Sequence, residues 1–127
     1  MSTFSYHYSK LDSTDLDPSE LNERERDKLV ASAEFLSEKF RSLQISNPDE
    51  SEKIAMQLLN NPFFNASAPV FQRLTIIYRK RKDYASEIDA AQTFLKFYQP
   101  QYGGNMWVDV FEARIKKANI LLQKQFQ

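Results

Sequence analysis

Residues 71–100, FQRLTIIYRKRKDYASEIDAAQTFLKFYQP, decide how the chain is to be read. Phe71, Leu74, Ile77 and Tyr78 recur at helical spacing, which predicts a helix over about 68–81 with one apolar stripe. Asp83 is a helix-capping residue type. Beyond it Tyr84, Ile88, Ala91, Leu95 and Tyr98 follow at intervals of four, three, four and three, the mark of a second amphipathic helix. Helices joined by so short a turn lie antiparallel. The join itself, Tyr78 to Tyr84, places four consecutive cations between two tyrosines. They make either a phosphate-binding patch or an ordinary last helical turn, where the helix dipole favours each cation by about 0.3–1 kcal/mol.

The same grammar extends outward. Asn47-Pro48-Asp49-Glu50 sets a cap, a proline at the first helical position and an acid three residues on, and so starts a helix over about 48–60. Ile54, Ala55, Leu58 and Leu59 share one side of it, and NNPFFNASAP follows as a loop. Asp17-Pro18-Ser19-Glu20 repeats the start and predicts a helix to about Leu43. Its first part, SELNERERDK, is polar and expected to be solvated. Its later part carries Leu29, Ala33, Leu36, Phe40 and Leu43 on one face, over too few heptads for a coiled coil. Downstream, QPQYGGN breaks the chain, and a last helix over about 106–125 aligns Trp107, Phe111, Ile115, Ala118 and Leu122. Residues 1–16 show no helical period and are expected to form a flexible arm that Phe4, Tyr6 and Tyr8 could dock. No stretch alternates like a strand. The expectation is an all-α fold of about five helices in antiparallel hairpins, with 17–127 as a single α-helical domain.

Composition agrees. The chain has 127 residues, only 2 glycines, and 13% aromatics; few glycines disfavour turn-rich β folds. With no cysteine, disulfide scaffolds, thiolate zinc sites and cysteine nucleophiles are excluded. The opening residues lack the basic start and apolar run of a signal peptide, and no stretch reaches the roughly 20 apolar residues of a membrane helix. A cytoplasmic protein is expected. Net charge is zero, yet residues 1–50 hold 11 acids and 6 bases and the remainder 6 acids and 11 bases. Such an asymmetry marks either an interaction surface or two halves that attract within one fold.

The helix pair at 68–100 resembles a tetratricopeptide repeat, a pair of antiparallel helices of about 34 residues. Leu74, Tyr78, the Asp83-Tyr84 turn, Ile88, Leu95 and the closing Pro100 carry the resemblance. It implies that Leu74 and Tyr78 face the partner helix, that Ile88 and Leu95 fill the space between, and that the last helix follows as a cap. The chain departs from the family where Thr75 replaces a small residue, Lys82 the turn glycine, and Glu87 and Phe94 the alanines that let helices approach. A small helical bundle of other ancestry remains the alternative.

Little in the sequence carries chemistry. The single histidine, His7, has no local ligand partners; no glycine-flanked serine and no phosphate loop occur, and Gly103-Gly104 lies in a turn. Glu87 and Asp89 fall on different helical faces, and Glu23 with Asp27, or Glu34 with Glu38, belong to a solvated face. Asp12, Asp15 and Asp17 lack calcium-loop spacing. No enzyme, no cofactor and no metal is expected. The resemblance implies a groove lined by the first helix of the pair, and so a protein or peptide partner at Gln72, Ile76, Arg79 and Lys80. Ile76 stands where chaperone-binding members carry an asparagine, which argues against chaperone tails. The expected function is a non-catalytic protein–protein interaction module, a small adaptor or regulatory protein. The alternative is a nucleic-acid-binding accessory protein that uses 79–82, with Lys116, Lys117 and Lys124 on phosphates and Tyr78 or Tyr84 stacked on bases. Self-association through an exposed apolar helix face is a further possibility for the partner.

Overall fold

Six α-helices form the regular structure of the computed structural model, which describes residues 1–11, 17–43, 47–97 and 106–126. They are α1 (Thr3–Tyr8), α2 (Glu23–Ser42), α3 (Pro48–Leu59), α4 (Ala68–Lys80), α5 (Tyr84–Phe97) and α6 (Met106–Gln125), with a 3-10 turn at Pro18–Glu20. No strand occurs among the described residues. The fold is all-α, and helices pack in pairs. The expected features at Asp12, Asp15, Tyr98, Pro100 and Gly103-Gly104 lie outside the described residues.

Helix starts follow their caps. Asn47 accepts the Glu50 amide at 3.2 Å with Pro48 in the first helical position, as its sequence requires. Asp83 accepts the Ser86 amide at 3.2 Å and so opens α5 at Tyr84. The expected start at Asp17 is different. Asp17 accepts the Ser19 amide at 3.0 Å, which holds its carboxyl below the usual carboxylate range, but it closes only the 3-10 turn. The α-helix begins at Glu23, with Asn22 accepting the Glu25 amide at 2.8 Å. Two cap-like sites lie five residues apart, and the later one also precedes an acid at its third helical position. The segment expected as an arm carries α1, whose Phe4 is buried.

The described residues divide into two compact units. One spans Lys10–Ser67. In it α2 and α3 run antiparallel: Asn61, just after α3, donates its side-chain amide to the Leu29 carbonyl of α2 at 2.9 Å and accepts the Phe63 amide at 2.9 Å. Ala33 and Phe40 of the α2 stripe are buried, while Leu29, Leu36 and Leu43 are half-buried. Residues 22–28 are exposed, so the polar run is solvated as its composition demands.

The other unit joins Met1–Ser9 to Ala68–Gln127. A line of aromatic rings runs through its helices. Phe4 of α1 lies 6.4 Å from Phe71 of α4, Phe71 lies 5.7 Å from Phe94 of α5, and Phe94 lies 4.2 Å from Phe111 of α6. These four are among the most deeply buried side chains. At the other end of α5, Tyr84 and Ile88 pack on Ala118, with Ile115, Leu121 and Leu122 around them. The start of α5 thus meets the end of α6, and the end of α5 meets its start, so these helices too are antiparallel.

The apolar stripe of α5 is wider than its period indicates. Ser86, Glu87, Ala90 and Phe94 are buried together with Tyr84, Ile88 and Ala91, and Leu95 is only half-buried. The reason is that α5 packs against α1, α4 and α6 at once. One amphipathic stripe serves one neighbour; three neighbours require most of the circumference. Phe94→Ala should therefore cost about 3–5 kcal/mol, the range for deleting a buried aromatic side chain. Leu95→Ala should cost clearly less, and urea unfolding of the two variants compares them.

Candidate functional site

The sequence directs attention to the outer face and C-terminal end of α4. At 100° per residue, Pro69, Ile76 and Lys80 fall on one line along the helix, and all three are exposed. Gln72 and Arg79 border it and are half-buried. The opposite side is core: Phe71, Leu74 and Tyr78 are fully covered.

The consecutive cations divide: Lys80, Arg81 and Lys82 are exposed, while Arg79 is half-buried. Arg79 turns back into the fold. Its Nε donates to Glu87 Oε1 at 3.0 Å and its Nη2 lies 2.7 Å from Glu87 Oε2, a two-point pairing. Its Nη2 also donates to the Arg114 carbonyl of α6 at 3.2 Å. Arg114 in turn places its Nη1 3.4 Å from Glu87 Oε2. The Glu87 side chain has 0% exposure, against 31% for Arg79 and 21% for Arg114. Burial pulls the Arg114 guanidinium below its ordinary value, the Arg79 charge acts in the same sense, and Glu87 opposes both. One carboxylate thus receives two guanidiniums, and α4, α5 and α6 are tied at one point.

Lys82 has another task. Its backbone is left-handed, at φ 59°. The Lys82 amide donates to the Arg79 carbonyl at 3.0 Å and the Asp83 amide to the Tyr78 carbonyl at 2.9 Å, closing the C-terminus of α4 as a glycine would. The Lys82 carbonyl accepts the Gln125 side-chain amide at 3.0 Å. Lys80, by contrast, is exposed and projects from the end of the Ile76 line. Tyr78 is 0% exposed and Tyr84 is 9% exposed, so neither ring offers a face for stacking.

Of the four expected contact residues, Ile76 and Lys80 stand open on the α4 line, Gln72 flanks them, and Arg79 belongs to the buried network. In the sequence Glu87 stands out as a long side chain where close helix packing favours a small one, and nothing local points to Arg114. Glu87 interrupts a run of core positions from Tyr84 to Ala91, and a buried carboxylate requires a cation within reach. That requirement was visible; which cation would meet it was not.

Elsewhere, a shallow hollow of about 380 Å³ between α2 and α3 is lined by Leu29, Ser32, Leu36, Gln57, Asn60 and Asn61, none of them titratable. No group of three or more His, Asp or Glu side chains able to hold a metal occurs among the described residues, nor does a helix there have the length and apolarity to cross a membrane. Comparison with protein-family models, curated proteins and solved structures finds no match to this chain.

Arg79 and Lys80 are neighbours with opposite expected sensitivities. Arg79→Ala leaves a fully buried carboxylate with only the longer Arg114 contact and should destabilise by about 3 kcal/mol. Lys80→Ala should stay within about 0.5 kcal/mol. Lys82→Gly should raise stability by about 0.5–1 kcal/mol by removing a left-handed non-glycine residue. Chemical denaturation midpoints of the three variants give these values directly.

Proposed function

We propose that this chain is a non-catalytic protein-binding module that holds a peptide or protein segment along the outer line of α4. The observation that carries the reading is Ile76. It is 36% exposed in a helix whose other aliphatics, Val70, Leu74 and Ile77, are 3%, 0% and 5% exposed. A half-open aliphatic with Gln72 on one side and Lys80 on the other suits a partner that sets an apolar side chain beside a carboxylate. Arg79, fixed by Glu87, supports the helix end and does not compete for that carboxylate.

The α4–α5 pair is best understood as a degenerate tetratricopeptide-like hairpin with α6 as the helix that caps it. What supports this is local. Leu74 and Tyr78 are fully buried, Lys82 occupies the left-handed turn position, Asp83 caps α5, and Phe111 and Ala118 of α6 pack on Phe94 and on Tyr84 with Ile88. Such hairpins bind through the exposed side of their first helix, which here is the Ile76 line. An adaptor or regulatory role in the cytoplasm follows, and the absence of cysteine suits a reducing compartment.

The test is capture of partners from the native cells with the intact chain, with Ile76→Glu and with Lys80→Glu, each with and without nuclease. Retention of a stoichiometric protein by the wild type, and at least tenfold less by Ile76→Glu at unchanged helicity, is the expected result. Partners that vanish on nuclease treatment would instead assign the chain to nucleic acid. Arg79 is unsuitable as a probe here, because its loss disturbs the core.

A further inference from the structure

α1 is a six-residue helix joined to a unit whose remainder begins at Ala68. Helices this short do not persist alone in water; contacts with the rest of the protein must hold α1 in place. Its contacts include one buried ring and three hydrogen bonds. Phe4 enters a cleft between α4 and α5, 6.4 Å from Phe71 and 6.3 Å from the Tyr78 ring, and is 1% exposed. The Phe4 amide donates to Ser86 Oγ at 3.0 Å. Ser2 and Ser5 both donate their hydroxyls to Asp89 Oδ2, at 2.5 and 3.0 Å. Ser86 Oγ is itself oriented, donating to Asp83 Oδ2 at 2.7 Å.

The cleft therefore has the parts of a peptide site: an aromatic-lined pocket, one acceptor for a backbone amide, and one carboxylate for two hydroxyls. Ser86 and Asp89 lie on the side of α5 away from Tyr84 and Ile88, which pack on α6. Ser86 and Asp89, which hydrogen-bond α1, take no part in the Tyr84 and Ile88 contact with α6 or in the Glu87 pairing. Tyr6 and His7, at the next positions of α1, face solvent, so the anchor is Phe4 with its two flanking hydroxyls.

We propose that the α4–α5 cleft is a peptide-docking site that α1 occupies in cis. The trans ligand it fits is a short partner helix whose first turn presents hydroxyl, any residue, aromatic, hydroxyl, as Ser2-Thr3-Phe4-Ser5 does. α1 is both the template of that ligand and the gate that excludes it. The cleft is distinct from the Ile76 line and does not rest on the function proposed for it.

Two measurements on the full chain test this. In hydrogen exchange of the wild type, the amides of Phe4–Tyr8 are expected to exchange at least tenfold faster than those of Ala90 and Ala91, because α1 opens while the hairpin stays closed. Equal protection would make α1 an integral part of the core and overturn the proposal. In the second measurement, a labelled peptide of residues 1–9 is titrated into wild type, Phe4→Ala and Ser5→Glu, with anisotropy as readout. Ser5→Glu keeps the anchor but sets a carboxylate against Asp89. Binding at least tenfold tighter to both variants than to wild type, weakened at least fivefold when Asp89→Ala is added, is the expected result. No binding to variants of native helicity, or loss of the fold in both, overturns it. A concentration-dependent wild-type dimer that excludes the peptide would make a second copy the occupant and overturn the partner assignment.

Discussion

A carboxylate with no access to water must be paired, and Glu87 is the group around which the α4–α5–α6 assembly is arranged. Arg79 of α4 engages both of its oxygens, Arg114 of α6 shares one of them, and Arg79 also reaches the Arg114 carbonyl. An apolar trio of equal volume would stabilise as well or better, since desolvating three charges is costly. What the ionic trio adds is discrimination. A slip of any of the three helices by one residue would strand a buried charge, whereas an apolar trio would tolerate it. From α5, the Glu87 side chain reaches a cation on α4 and another on α6.

The second constraint is the position of α5. It meets α6 through Tyr84 and Ile88, α4 through Glu87 and Phe94, and α1 through Ser86 and Asp89. Few of its side chains remain for solvent. A helix so placed cannot be read from one stripe, and this is where sequence reasoning fell short. The interval rule selects Leu95, since it continues the four-three series from Tyr84. Phe94, one position off the series, is the residue that the ring of Phe71 on one side and Phe111 on the other enclose.

Boundaries set by local chemistry were legible. Asn47 with Pro48, and Asp83, each cap the helix they precede, because a cap acts within three residues and needs nothing distant. Lys82 was recognisable as filling a glycine position, and its left-handed backbone shows why glycine is the usual choice. Asp17 misled because two competing caps lie close together, and only the second is followed by a helix. α1 was illegible for a different reason. Six residues give less than two turns of period, and its order comes from Ser86 and Asp89, more than 80 positions away in the chain.

The basic run between Tyr78 and Tyr84 shows how far composition can be trusted at a site. Four adjacent cations suggest one electrostatic surface, yet a helix end distributes them around its axis and the fold then gives them separate work. Arg79 neutralises Glu87, and Lys82 takes the strained turn position. Lys80, Arg81 and Lys82 stay exposed at this helix end, and Lys80 closes the line beside an aliphatic side chain that the core did not take in. A cation next to an apolar contact adds short-range selectivity to that contact. That combination would suit the proposed recognition of one segment by fit, with charge deciding orientation.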